Sequence, residues 1–138
     1  MEWWSAWVMV LSSLVGSDDV RWATVLGELD HVRAEAYATA DPRLLDGVYA
    51  VGSAGREVDT ATIDDYARRG AHVVGADLAL LSCRVEDASV DRVRLAVVDQ
   101  LDSARIVWSD GTSRALPRDR PTQRVVTLVR AADGWRIG

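Results

Sequence analysis

Carboxylates in phase with apolar strand residues are the side chains of this 138-residue chain best placed to do chemistry. Asp99 alternates in step with Val93, Leu95 and Val97, so a period-two strand turns it toward the same buried face. A carboxylate held there is costly unless it is paired or functional. The functional reading is a general base with a raised pKa. Against it stand a place at the sheet rim, an ion pair with Arg94, Arg105 or Arg124, or a bulge that turns the side chain outward; a paired or rim carboxylate is the expectation. Asp77 is in phase with Leu81 or Cys83 in the same way, and Tyr37 and Tyr49 fall near the ends of the first two helical segments. With Trp108, these four complete a candidate pocket lining, and no catalytic role is assigned to any of the five.

The other reactive residue types carry weaker signals. His31 and His72 have no His, Cys or carboxylate at a metal-ligand spacing, so hydrogen-bonded or solvated histidines are expected, with no metal and no cofactor. Cys83 stands alone, reads as a small core hydrophobe, and cannot form an internal disulfide. The Gly-Ser-Ala-Gly-Arg-Glu stretch at residues 52–57 lacks the dinucleotide-binding spacing and follows no strand. Arg118-Asp119-Arg120, bracketed by Pro117 and Pro121, could clamp an anion, but charges in a Pro-bounded loop are more often solvated surface.

The elements that must position these residues fall into two halves. Residues 71–137 read as one curved antiparallel sheet. Residues 71–88 are rich in Val and Leu, residues 91–102 alternate, and Asp110-Gly111 and Asp133-Gly134 are hairpin signals of the type I′ kind. Short connections imply antiparallel neighbours. In the first half, Ser17-Asp18-Asp19 offers caps for a helix over residues 20–39 whose stripe is Trp22, Val25, Leu26, Leu29, Val32, Ala36 and Tyr37. Asp41-Pro42 starts a short second helix. Residues 51–57 read as a loop, and Asp59 or Thr60 caps a third helix ending at Gly70. Helices followed by strands predict an α+β domain.

Composition bounds the partners. The length fits one domain. The net charge of −5 argues against nucleic acid. Every basic residue is Arg, with no Lys, Asn or Phe, as coding bias in a GC-rich genome such as an actinobacterium's would produce. Residues 1–16 form an apolar, Trp-rich segment apart from the domain at 17–138. Its apolar run is too short to span a bilayer and lacks the basic start of a secretory signal. A helix packing on the domain or on a partner is the expectation, with a membrane-anchor remnant as the alternative. Cytoplasmic placement is expected accordingly, with anchoring or export as alternatives.

The long first helix, the short Leu-Leu-Asp-Gly-Val-Tyr segment, the Asp-Asp-Tyr-Ala-Arg-Arg-Gly helix and the closing strands with their terminal Asp-Gly-Trp-Arg-Ile resemble the NTF2-like superfamily. That superfamily includes ketosteroid isomerases, scytalone dehydratase and polyketide cyclases, and the chain is also similar to uncharacterised actinobacterial SnoaL-like domain proteins. The resemblance covers residues 20–138. It implies a cone: three N-terminal helices on a curved antiparallel sheet of four to six strands, here with the extra Trp-rich helix, and a pocket at the open end. Fold does not settle function. A non-catalytic binding or assembly domain is the expectation. It would form a homodimer through the outer sheet face or the N-terminal helix, or hold a small apolar ligand. The alternatives are an isomerase, dehydratase or cyclase using a carboxylate in the cone, or an apolar-ligand carrier.

Overall fold

The computed structural model describes the backbone of residues 3–138 and the side chains of residues 18–138. A helix α1 (Trp3–Thr39) is followed by a 3-10 helix (Pro42–Gly47) and α2 (Ala54–Arg68). Seven strands come next: β1 (Ala71–Val74), β2 (Ala79–Ala88), β3 (Arg92–Gln100), β4 (Arg105–Trp108), β5 (Ser113–Ala115), β6 (Thr122–Ala131) and β7 (Gly134–Ile137). The order is that of an α+β fold, as the segregation of periodicities predicted.

The break expected at residues 17–19 is absent, and α1 runs through it. Cap residues favour a helix start without forcing one, and Asp19 is used elsewhere: its Oδ1 accepts the backbone N–H of Val85 across the molecule at 3.0 Å. How residues 3–16 pack lies outside the described side chains. Among the described residues no helix is long and apolar enough to cross a membrane. Asp41 does cap the 3-10 helix, accepting from the Arg43 N–H at 3.1 Å with Pro42 at the first position. The loop expected over residues 51–57 is shorter, because α2 begins at Ala54 and Asp59 lies inside the helix instead of capping it.

The single sheet expected is divided in two. One has the order β1-β4-β5 and the other β2-β3-β6-β7, and every strand pairing is antiparallel. Residues 71–88 split because the Leu78 N–H is taken by Asp30 of α1 at 2.7 Å and does not join a ladder. Leu116 N–H to Ala104 and Asp119 N–H to Leu101, both 2.9 Å, tie the loop after β5 back to the segment between β3 and β4. Both hairpins form, but neither uses a type I′ turn, which needs two residues at positive φ. Only Gly111 of the Asp110-Gly111 pair is left-handed, at 87°, and Asp133 is likewise not left-handed. Gly111 N–H bonds Trp108 and Trp108 N–H bonds Thr112, the pattern of a type I turn closed by a glycine bulge.

The core lies between α1 and the inner sheet faces. Trp22, Leu26 and Leu29 present the stripe the sequence predicts, and they are buried with Val93, Leu95, Val97, Val126 and Leu128. Trp22 meets Trp135 edge to face at 4.8 Å. The β7 strand is also closed on its far side, since Ile137 N–H bonds Val48 and Ala50 N–H bonds Ile137, each at 2.8 Å.

Candidate functional site

Four polar side chains meet where α1, the 3-10 segment and α2 converge. Asp59, 5% exposed, is the centre. Arg33 donates to it through Nε at 2.8 Å and Nη2 at 3.0 Å. The Tyr37 hydroxyl donates to Oδ1 at 2.6 Å and the Tyr49 hydroxyl to Oδ2 at 2.5 Å. Helical spacing brings Arg33 and Tyr37 onto the inward face of α1 four residues apart. Tyr49 comes from the bridge to β7. Gly55 makes room for it, because a Cβ there would stand 2.8 Å from the Tyr49 ring.

The electrostatics of the cluster follow from its saturation. Burial alone would raise the Asp59 pKa, but the bidentate Arg33 and the two hydroxyls outweigh it and hold the carboxyl below its usual range. Burial, then the hydrogen bond to Asp59, pushes Tyr49 up to about 12 and Tyr37 upward as well. At neutral pH the cluster is therefore an ionised acid, a charged guanidinium and two protonated phenols. Every strong acceptor site on Asp59 is engaged, which leaves no poised base.

A cavity of about 190 Å³ adjoins the cluster between α1, α2 and the segments around β1 and β4. Its lining is mostly apolar (Val73, Ala104, Leu116), with Arg33, Tyr37, Thr62 and Tyr66 as its polar members. Of the residues proposed from sequence, only Tyr37 lines it. Tyr49 reaches the cluster through Asp59. Asp99 is buried, as its phase predicted, but receives Arg124 Nε at 2.8 Å and Nη2 at 2.6 Å. It shares with Asp30 a separate niche of about 20 Å³, room for one water. Asp30 is pushed up by burial, against the pull of the Leu78 N–H and Arg33. Asp77 is exposed and faces the His31 Nδ1 at 3.1 Å. That contact, then the charges of Asp77 and Glu35, raises the His31 pKa. Trp108 is half-buried at the end of β4 under the Arg114 guanidinium, outside the cavity. Cys83 is half-buried, and its thiol is pushed up by burial and by Asp19. Among the described residues no group of three His, Cys, Asp or Glu side chains could hold a metal.

Arg33 is absent from the residues singled out by the sequence, and Asp59, expected with Thr60 as a cap, lies inside α2. The available signal was Arg33 itself, a cation four residues from both Leu29 and Tyr37 on the apolar stripe, which demands an internal acid.

The outer face of the four-stranded sheet carries a second feature. Ser82, Arg84, Ala96, Val98, Gln123 and Val125 line an open groove of about 580 Å³.

No family model matches the chain, and no curated protein matches it. Solved structures do. The chain is similar to the crystal structure of the intermembrane space region of the chloroplast protein ARC6, with a TM-score of 0.55 at 14% identity, over 86% of this chain and 91% of that one. It is also similar to a candidate aromatic ring hydroxylase from Novosphingobium aromaticivorans, with a TM-score of 0.51 at 16% identity, over 83% of this chain and 82% of that one. At such identities the likeness is one of fold alone.

Proposed function

We propose that this chain is a non-catalytic binding domain of NTF2-like type, working through the outer face of its four-stranded sheet. The observation that carries the reading is the saturation of Asp59. General acid–base catalysis needs a group free to exchange a proton with a substrate at hydrogen-bond distance. Asp59 instead accepts four hydrogen bonds from its own chain. The other buried candidate, Asp99, is held by Arg124. The order of helix, short helix, helix and antiparallel sheet supports the NTF2-like assignment.

A carrier is the second reading, favoured by the apolar cavity. Its 190 Å³ lies under the roughly 300 Å³ at which drug-sized ligand sites begin. It nevertheless exceeds the roughly 150 Å³ apolar cavity that admits benzene. Amide-shift mapping of the full chain against a panel of neutral and charged fragments separates the two. Under the first reading, perturbations gather on β2, β3 and β6 at residues such as Ala96 and Val125. Perturbations centred on Val73 and Ala104 would replace it with the carrier. A dilution series in the same experiment reads self-association through either face.

A further inference from the structure

From the register of the outer sheet face we infer that its groove is a binding site for an organic carboxylate with an apolar body, anchored by Arg84. The inference rests on the outer face being the working surface. Two cross-strand rows build the groove floor. Arg84 of β2 pairs with Ala96 of β3, which pairs with Val125 of β6; beside them run Ser82, Val98 and Gln123. Side chains on one face of neighbouring strands stand roughly 5 Å apart, so each row spans about 10 Å. Ala96 is the smallest member of its row and sits in the middle, which makes the hollow. Ala96, Val98 and Val125 supply an apolar floor, and Val125 is 58% exposed.

The rim combines a guanidinium, Arg84, with a hydroxyl and an amide, Ser82 and Gln123, that can each donate or accept. Neither row contains a carboxylate. Glu86, the one acid in the lining, accepts from Arg94 Nε at 3.2 Å. Arg124, in register with Val97 between the two rows, directs Nε and Nη2 to the buried Asp99. Arg84 has no carboxylate within ion-pair distance among the described residues, and the Ser82 hydroxyl and Gln123 amide flank the same floor. An unpaired guanidinium over an apolar hollow fits an anion whose remaining body is apolar, and its planar fork matches both oxygens of a carboxylate. The volume lies within the 300–1,000 Å³ of small-molecule sites. A second copy docked face to face about a two-fold axis would bring the same two rows, whose one neighbouring acid, Glu86, is already held by Arg94.

The test titrates the full chain with 4-phenylbutanoate and with 4-phenylbutanamide, a neutral analogue of the same shape, following amide shifts. The expected result is saturable binding of the acid with shifts at Arg84, Ala96 and Val125, and at least about tenfold weaker binding of the amide. Arg84→Gln should lower the acid's affinity to that of the amide, while Arg68→Gln, the same charge change at the exposed end of α2 away from the face, leaves it unchanged. Equal affinity for acid and amide at this face, or an Arg84→Gln variant that still prefers the acid, overturns the carboxylate inference while the outer-face reading stands. Absence of shifts on this face with either compound overturns the inference and counts against the outer-face reading as well.

Discussion

Asp59 is a buried anion that Arg33 neutralises and two phenols complete, so removing its charge strands a guanidinium rather than deleting one contact. Asp59→Asn is expected to cost about 3–5 kcal/mol, since a buried ion left without its partner keeps its full desolvation cost. Tyr49→Phe leaves the carboxylate three donors and should cost about 1 kcal/mol. Urea midpoints of the two variants measure both. The same groups set a pH profile with two flanks. A carboxyl held below its usual value contributes stability above its unfolded pKa, and loses it as pH falls through the folded one. Acid destabilisation from Asp59 therefore sets in below the ordinary carboxylate value of 3.8. The phenols behave oppositely: their contribution is intact below the ordinary value of 10.0 and is lost as pH rises toward the Tyr49 value of about 12. Tyr49→Phe should flatten the alkaline flank of the midpoint-versus-pH curve and also reduce the acid flank, because one of the donors that hold the Asp59 carboxyl down is gone.

At the level of elements, α1 is strapped to the start and middle of β2 by side chains, since Asp30 holds the Leu78 N–H and Asp19 the Val85 N–H. Burial penalises the Asp30 charge, so its raised pKa marks a contribution present at low pH and lost as pH rises through the folded value. Asn keeps an acceptor for Leu78 without the charge. Asp30→Asn should therefore raise the urea midpoint at pH 7 and leave it unchanged at pH 3, where the native carboxyl is protonated. At the start of α2, Gly55→Ala drives a methyl into the Tyr49 ring, and overpacking of this kind costs about 1–3 kcal/mol. An upfield-shifted methyl signal and a lowered midpoint would mark the displaced ring. Much of this layout was legible in advance. Strands β3, β6 and β7, the hairpin at Asp110-Gly111, the Asp41-Pro42 start and the apolar stripe of α1 all follow from period and turn chemistry. The split after β1 was not, because it depends on a carboxylate 48 residues away taking one N–H. The burial of Asp99 could be read from its phase, and its partner was one of three arginines that phase alone could not separate. The Asp59 cluster stayed hidden because Asp at a plausible cap position and Tyr at a helix end each satisfy a local rule, and only the tertiary fold sets them on one another.

For the whole molecule, the buried carboxylates Asp59 and Asp99 are answered by Arg33 and Arg124, while Arg84 on the outer sheet face has no ion-pair partner among the described residues. On the function proposed above, that asymmetry separates a folding device from a binding surface. Substitutions on the outer face should leave stability within about 0.5 kcal/mol, whereas those in the cluster should not. Val125→Glu checks the first half by its unchanged melting temperature.

The bridge between residues 48–50 and Ile137 has a kinetic meaning. Tyr49 sits in a connector that would ordinarily open on its own, yet the Ala50 N–H and the Val48 carbonyl on either side of it are bonded to Ile137 of β7, and β7 is bonded into β6. The connector and the sheet's last strand then form one cooperative unit, in which protons on the Ala50 and Ile137 amides exchange with solvent at matched, slow rates. Tyr49→Phe should speed both together, so that the loop reports on the sheet's breathing.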